Sequence, residues 1–466
     1  MSRFKTLFQN SMIFTISSFA SKLLGFLMLP LYTRVLSREE FGTADLIIFS
    51  IGLILPVLTI SISESIIRFA IDENENKKQV FSIGLKTILI GWFILLFTIP
   101  FTGNIPVIKD YTVWFYLIYI SQSLNLYFNS FTRGLNKIKL IGIVGVIQTL
   151  TVVFSNIMFL VVFEFGVDGF LFSLVLGNVV ALLVLFFGAN LKHYLVFNKT
   201  DKQLRKEIVK YSIPLVPART SWWFNNSSNR YIIANFSGIS ELGLFSAASK
   251  IPSILITFQG IFIQAWELSA LTEYKKEDGA AFFTKIYNLY NFALVIGCSF
   301  LIMFIKPISS ILLGPEFKEA WRLVPFLLIA VIFGGIIGFL NTINMAVKKT
   351  NALVIPVIIG ASVGVAINLI FVPKYGAMIA SISVTISYFL IWFQRLINAN
   401  KHMKLEVNYL RDALSYSIIL VQAITVLYLD DNEISIFSVI CFLLLFLINY
   451  NTLKDNWFLL KGNIIK

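Results

Sequence analysis

Charged side chains inside long apolar runs are the residues of this sequence that could do chemistry. Lys22, Glu64, Arg68, Arg219, Arg230, Lys250 and Glu267 all stand among Leu, Ile, Phe and Val. A cation in that setting needs a counter-charge, a wet cavity or an anionic ligand. Phosphate is the ligand that suits them, Arg gripping it through parallel hydrogen bonds and Lys acting as a point charge. Glu64 and Glu267 are the deep acids, with Asp45 nearer an end. Cations outnumber acids, which predicts a cationic, water-filled cavity for an anionic ligand. The densest polar patch is SWWFNNSSNRYIIANFSG, Ser221 to Gly238. There Arg219, Trp222, Trp223, Asn226, Asn229 and Arg230 share a broad helical face, and the indoles could stack on sugars.

Other polar residues recur at helical spacing. Ser246, Lys250, Ser253, Thr257, Gly260, Gln264 and Glu267 fall three or four residues apart, on one face of a continuous helix. Ser11, Thr15, Ser18, Lys22 and Gly25 repeat the pattern near the start. Ser61, Glu64, Ser65 and Arg68 form a shorter stripe, in which Glu64 and Arg68 are spaced to pair. Serines and glycines on such stripes also glue membrane helices together, and for them that reading is the stronger one.

The elements that must carry these residues follow from composition. Hydrophobic residues make up 57% of the 466, charged residues 14%, and the mean hydropathy is +0.81. Soluble domains carry far more charge, so the chain reads as an all-α polytopic membrane protein. Apolar runs predict about fourteen transmembrane helices. They cover 10–34, 44–69, 80–99, 111–131, 141–163, 169–189, 211–233, 243–271, 286–305, 323–346, 352–372, 376–394, 412–429 and 435–451. Lys and Arg concentrate at the N-terminus, in every second loop and at the C-terminus, which places both termini in the cytoplasm. The net charge of +13 is thereby explained by topology, without nucleic acid.

The basic segment KHYLVFNKTDKQLRKEIVK divides two similar parts. LSREEFGTADLIIFS in the first resembles GISELGLFSAASKIPS in the second, pairing Glu40 with Glu241 and Gly42 with Gly243. An offset of about 200 residues spans six helices, an even number, so the copies share one orientation, an arrangement known from transporters. The expected organisation is a six-helix lobe over 1–200, a second over 201–400, and two further helices with a tail over 401–466.

Several chemistries find no support. Cys298 and Cys441 lie in apolar runs, and His193 and His402 in basic loops, so neither a metal site nor a disulfide framework is expected. No Walker loop is present, and no cofactor is expected. GASVG at 360–364 matches a hydrolase motif formally, but inside an apolar span close helix packing is the better reading.

Two segments carry a resemblance. SKLLGFLMLPLYTRVLSREEFGTADL and NNSSNRYIIANFSGISELGLFSAASKIPSIL are similar to the Wzx-type polysaccharide flippases. These belong to the multidrug/oligosaccharidyl-lipid/polysaccharide exporter superfamily, with the MATE exporters and the lipid II flippase. The resemblance implies two six-helix bundles in a parallel pseudo-repeat around a V-shaped central cavity, plus two C-terminal helices. It implies a non-enzyme that moves undecaprenyl-diphosphate-linked oligosaccharide across the bacterial cytoplasmic membrane by alternating access, without ATP. The product would feed capsule, O-antigen or a similar polysaccharide, with a polymerase and glycosyltransferases as partners. At matching positions, Lys22, Arg68 and Lys250 would line the cavity and meet the diphosphate. Many relatives carry Asp where this chain has Asn229, which leaves Glu64 and Glu267 as the ion-coupling candidates. The alternatives are a cation-coupled multidrug exporter, which would want an acid where the first span offers Lys22, and a membrane polysaccharide polymerase, which would want a large outer loop.

Overall fold

The computed structural model describes residues 19, 21–98, 106–196, 200–274, 278–346, 354–429, 431–452 and 454. Helices dominate them, and no strand occurs among the described residues. Among the described residues, nine helices are long and apolar enough to cross a membrane, or ten if one bent pair counts as a single span. Residues 10–18 and 20 of the first expected span lie outside the described residues; the rest is helical over 21–27 and Leu29–Val35. Helices stand at each of the other expected positions.

Two expected spans are broken. The second divides into Arg38–Leu58 and Ile62–Ile71. Ile60 and Ser61 between them take left-handed backbone angles, which ends the first helix just after its Pro56. The eighth divides into Ile239–Lys250 and Ser253–Glu273, and the chain bends by 45°. The reason is Pro252, whose ring and missing N–H interrupt the ladder. The expected seven-residue stripe therefore does not run along one straight helix: Ser246 is fully buried and Lys250 ends the first segment.

The chain forms two compact units, Met1–Ser227 and Ser228–Lys466, and the division falls inside the Leu215–Phe236 helix. In the first unit, an aromatic and aliphatic core gathers Ile62, Ile66, Phe81, Tyr127, Phe131 and Leu185. Phe81 meets Phe131 edge-on at 4.8 Å, and the Tyr127 hydroxyl donates to the Phe81 carbonyl. Higher up, side-chain amides join three spans. Asn125 and Gln148 both donate to Asn178 Oδ1, at 3.0 and 2.9 Å, and Asn178 donates to the Ser121 hydroxyl. Such bonds hold helices together where lipid offers no hydrophobic drive.

The second unit packs Trp266 flat on Phe339, with centroids 4.7 Å apart, and the indole donates to Thr342. Gly360 and Gly364 of the GASVG stretch let the Ala377–Asn400 helix approach, since a Cβ at Gly360 would lie 2.9 Å from the Ser387 carbonyl. Ser383 donates to the Gly364 carbonyl at 2.9 Å. The Tyr409–Tyr428 helix docks through polar contacts. Arg411 binds Asp412 and Asn288, Tyr287 donates to Asp412, and Gln422 and Ser299 exchange hydrogen bonds.

The repeat is visible in these contacts. In the first unit Asn156 donates to the Tyr32 hydroxyl, joining its first and fifth spans. In the second, Asn368 donates to Asn229, joining the equivalent helices. Glu40 caps its own helix from the Ser37 side and lies against Gly166. Glu241 lies likewise against Gly376 and accepts from the Ala377 N–H. Both glycines have positive φ and stand at the starts of the Gly166–Gly188 and Ala377–Asn400 helices, so each carboxylate sits where a side chain would be strained and crowded.

Candidate functional site

In the first unit, the helix Lys202–Ser212 and the start of Leu215–Phe236 run along the broken second span in an antiparallel series of contacts. The Trp223 indole donates to the Phe49 carbonyl at 2.7 Å, over Gly52. Arg219 pairs with Glu64. The Ser212 and Ser65 hydroxyls share a hydrogen bond of 2.5 Å. The Arg68 guanidinium stands 4.6 Å above the Tyr211 ring.

This corrects the expected Glu64–Arg68 pair. Glu64 reaches Arg219 across to another helix, and Arg68 turns to an aromatic face. Local spacing permits an i, i+4 pair, but a guanidinium brought in by packing competes for the same carboxylate. The Arg219 and Glu64 side chains are 59% and 36% exposed, so their attraction is screened and of small net worth. An exposed, weakly held guanidinium can exchange its carboxylate for a phosphate. Lys22 is exposed as well, and its neighbour Gly25 faces open space. Thus Lys22, Arg68 and Arg219 are exposed cations on helices of one unit. Ser11, Thr15 and Ser18 of the first stripe lie outside the described residues, as do the side chains of Trp222 and Asn226.

In the second unit one cation is packed and the other candidate charges are exposed. Arg230 is 8% exposed, with its guanidinium 5.7 Å from the Phe245 ring, beside the Asn229–Asn368 bond. The single open face expected from Arg219 to Arg230 is therefore divided: one end is solvent-exposed and the other is packed. Lys250 is exposed in the last turn of its helix, where a cation also complements the helix dipole. Glu267 is exposed on the next helix, beyond a Gly260 that meets nothing within 4 Å.

Sequence reasoning missed Tyr211 and the Arg411–Asp412 pair, 8% and 2% exposed. The tyrosine ends a basic loop helix and gave no sign of facing Arg68. Asp412 opens its apolar run, where an acid passes for a solvated end. Among the described residues no group of three His, Cys, Asp or Glu could hold a metal.

The architecture has solved counterparts. The lipid II flippase MurJ in an inward closed conformation aligns at a TM-score of 0.69 and 14% identity, over 96% of this chain and all of the other. An inward-facing multidrug resistance MATE transporter of the MOP superfamily aligns at 0.66 and 14% identity, over 83% of this chain and 96% of the other. A MOP superfamily transporter from Pyrococcus furiosus, described as having a binding pocket of reverse polarity, aligns at 0.51 and 13% identity, over 90% and 95%. No curated protein matches by sequence. The fold is that of the MurJ and MATE class, and the protein crosses the membrane several times. The family described as polysaccharide biosynthesis protein matches residues 7–266. With more than half of its length matched, the chain belongs to that family.

Proposed function

We propose that the protein is a flippase for undecaprenyl-diphosphate-linked oligosaccharide, working from the cytoplasmic to the outer leaflet of a bacterial plasma membrane, by alternating access and without ATP hydrolysis. The observation that carries this reading is the set of exposed cations Lys22, Arg68 and Arg219 on helices of the first unit. A diphosphate crossing the bilayer needs compensating charge along its path, and Arg supplies it with directed hydrogen bonds. Family membership supports a glycan cargo. Glu64 then has a second role: it holds Arg219 ready when no phosphate is present and yields it when one arrives. Lys250 is the corresponding candidate in the second unit, Trp222, Trp223 and Asn226 are candidates for the sugars, and Glu267 stays a candidate for a coupling ion. Arg230, packed on Phe245, serves the site by holding its helix in place. Capsule or O-antigen assembly, with glycosyltransferases before it and a polymerase after it, is the pathway this cargo fits.

A multidrug resistance MATE transporter shares the fold, but the sign of the exposed charge opposes the alternative of a cation-coupled exporter of cationic drugs. The test is a strain carrying Arg68→Ala with Arg219→Ala. Surface polysaccharide is expected to be lost while the variant reaches the membrane and lipid-linked repeat units accumulate on the cytoplasmic side. Normal polysaccharide in that strain would end this reading.

A further inference from the structure

We propose that the first unit carries a separate site for an anionic phospholipid of the surrounding bilayer, on the outward face of the Lys77–Leu96 helix. A cavity of about 390 Å³ opens there, and at its polar end are Lys86, Thr87, Thr200 and Arg205. Its apolar wall includes Leu89, Ile90 and Phe93. Lys86, Arg205 and the Thr200 hydroxyl, with no acid among the described lining residues, complement a phosphate diester; the Thr87 hydroxyl donates to the Ile83 carbonyl at 2.9 Å.

The two halves come from different kinds of element. Lys202–Ser212 is amphipathic: Leu204, Ile208 and Ser212 are buried, whereas Lys202, Arg205, Lys206 and Lys210 are exposed. A short basic helix of this kind lies at the level of the headgroups. On the span, Lys86, Leu89, Ile90, Phe93 and Phe97 recur at helical spacing and form one stripe. Leu89, Ile90, Phe93 and Phe97 are all exposed large hydrophobics, as a track for acyl chains must be. A cation at one end of an apolar stripe would by itself describe an ordinary snorkelling lysine. Arg205 makes the difference, because it closes the cavity from a second element and gives the headgroup two fixed charges. The inference rests on the membrane setting and not on the flippase reading.

The test uses the purified full chain in detergent, titrated with dioleoylphosphatidylglycerol, dioleoylphosphatidylcholine or inorganic phosphate, and reads bound lipid by native mass spectrometry. Phosphatidylglycerol is expected to bind about tenfold more tightly than phosphatidylcholine, because both present the phosphate but only choline brings a cation up to Lys86 and Arg205, a difference of about 1.4 kcal/mol. Lys86→Gln with Arg205→Gln should remove that preference. Lys202→Gln with Lys206→Gln loses the same charge outside the cavity and should keep it. Should the first double variant fail to fold, Arg205→Gln alone, at an exposed position, should reduce the preference. A preference unchanged in the cavity variants, or lost equally in the control pair, overturns the site. Displacement of the lipid by millimolar inorganic phosphate overturns it too, since the acyl track would then contribute nothing.

Discussion

At the residue scale, the account turns on what Arg219 is for. Its exposed pair with Glu64 contributes at most about 1 kcal/mol to stability, so Glu64→Gln should leave folding nearly unchanged. Exchanging the two groups, Glu64→Arg with Arg219→Glu, separates a structural pair from a ligand-binding one. The exchange restores the attraction but moves the guanidinium to a different helix. It is expected to insert and fold, and to lose polysaccharide export; full activity would reduce the pair to a helix brace. These charges could be picked out from sequence because an ionic side chain inside an apolar run is conspicuous. Their partners could not. Glu64 and Arg68 are neighbours on one turn, whereas Arg219 and Tyr211 arrive from far along the chain through packing that no local pattern encodes.

Elements were legible to different degrees. Apolar length places helices at the expected positions because each span must cover the same hydrocarbon thickness. Breaks inside spans are harder to see. Pro252 was visible in the sequence, yet its neighbours kept a helical polar period that argued for continuity. Ile60 and Ser61 take left-handed angles with no glycine to announce them. Close packing was legible at GASVG, where small residues have few other uses in an apolar helix. Gly91 tests that logic more strictly, because a Cβ there would lie 2.5 Å from the Leu58 carbonyl, at the end of the neighbouring helix. Gly91→Ala is expected to destabilise the protein by about 1–3 kcal/mol through forced backbone shifts. Gly260→Ala, at an open position, should match the parent. Thermal unfolding in detergent reads both, and equal midpoints for the two variants would show that the helices have room to separate.

For the whole molecule, the internal repeat ties fold to function. A weak match around Gly42 and Gly243 grows into matched contacts: Tyr32–Asn156 answers Asn229–Asn368, and Glu40–Gly166 answers Glu241–Gly376. Along the Leu215–Phe236 helix the two arginines differ in setting, since Arg219 is exposed and Arg230 is buried. A repeat that keeps its brackets and varies its polar residues leaves one fold free to serve different cargoes. The central claim is that this chain moves a lipid-linked diphosphate glycan without nucleotide. It is tested most directly by purified protein in liposomes that carry a fluorescent undecaprenyl-diphosphate-linked oligosaccharide, with transfer between leaflets followed by a membrane-impermeant quencher. The account predicts transfer with no ATP present, slowed at least about tenfold in Arg68→Ala with Arg219→Ala, the loss of roughly one charge-assisted contact in the limiting step. Transfer no faster than in protein-free liposomes, or equally fast in the double variant, would contradict it.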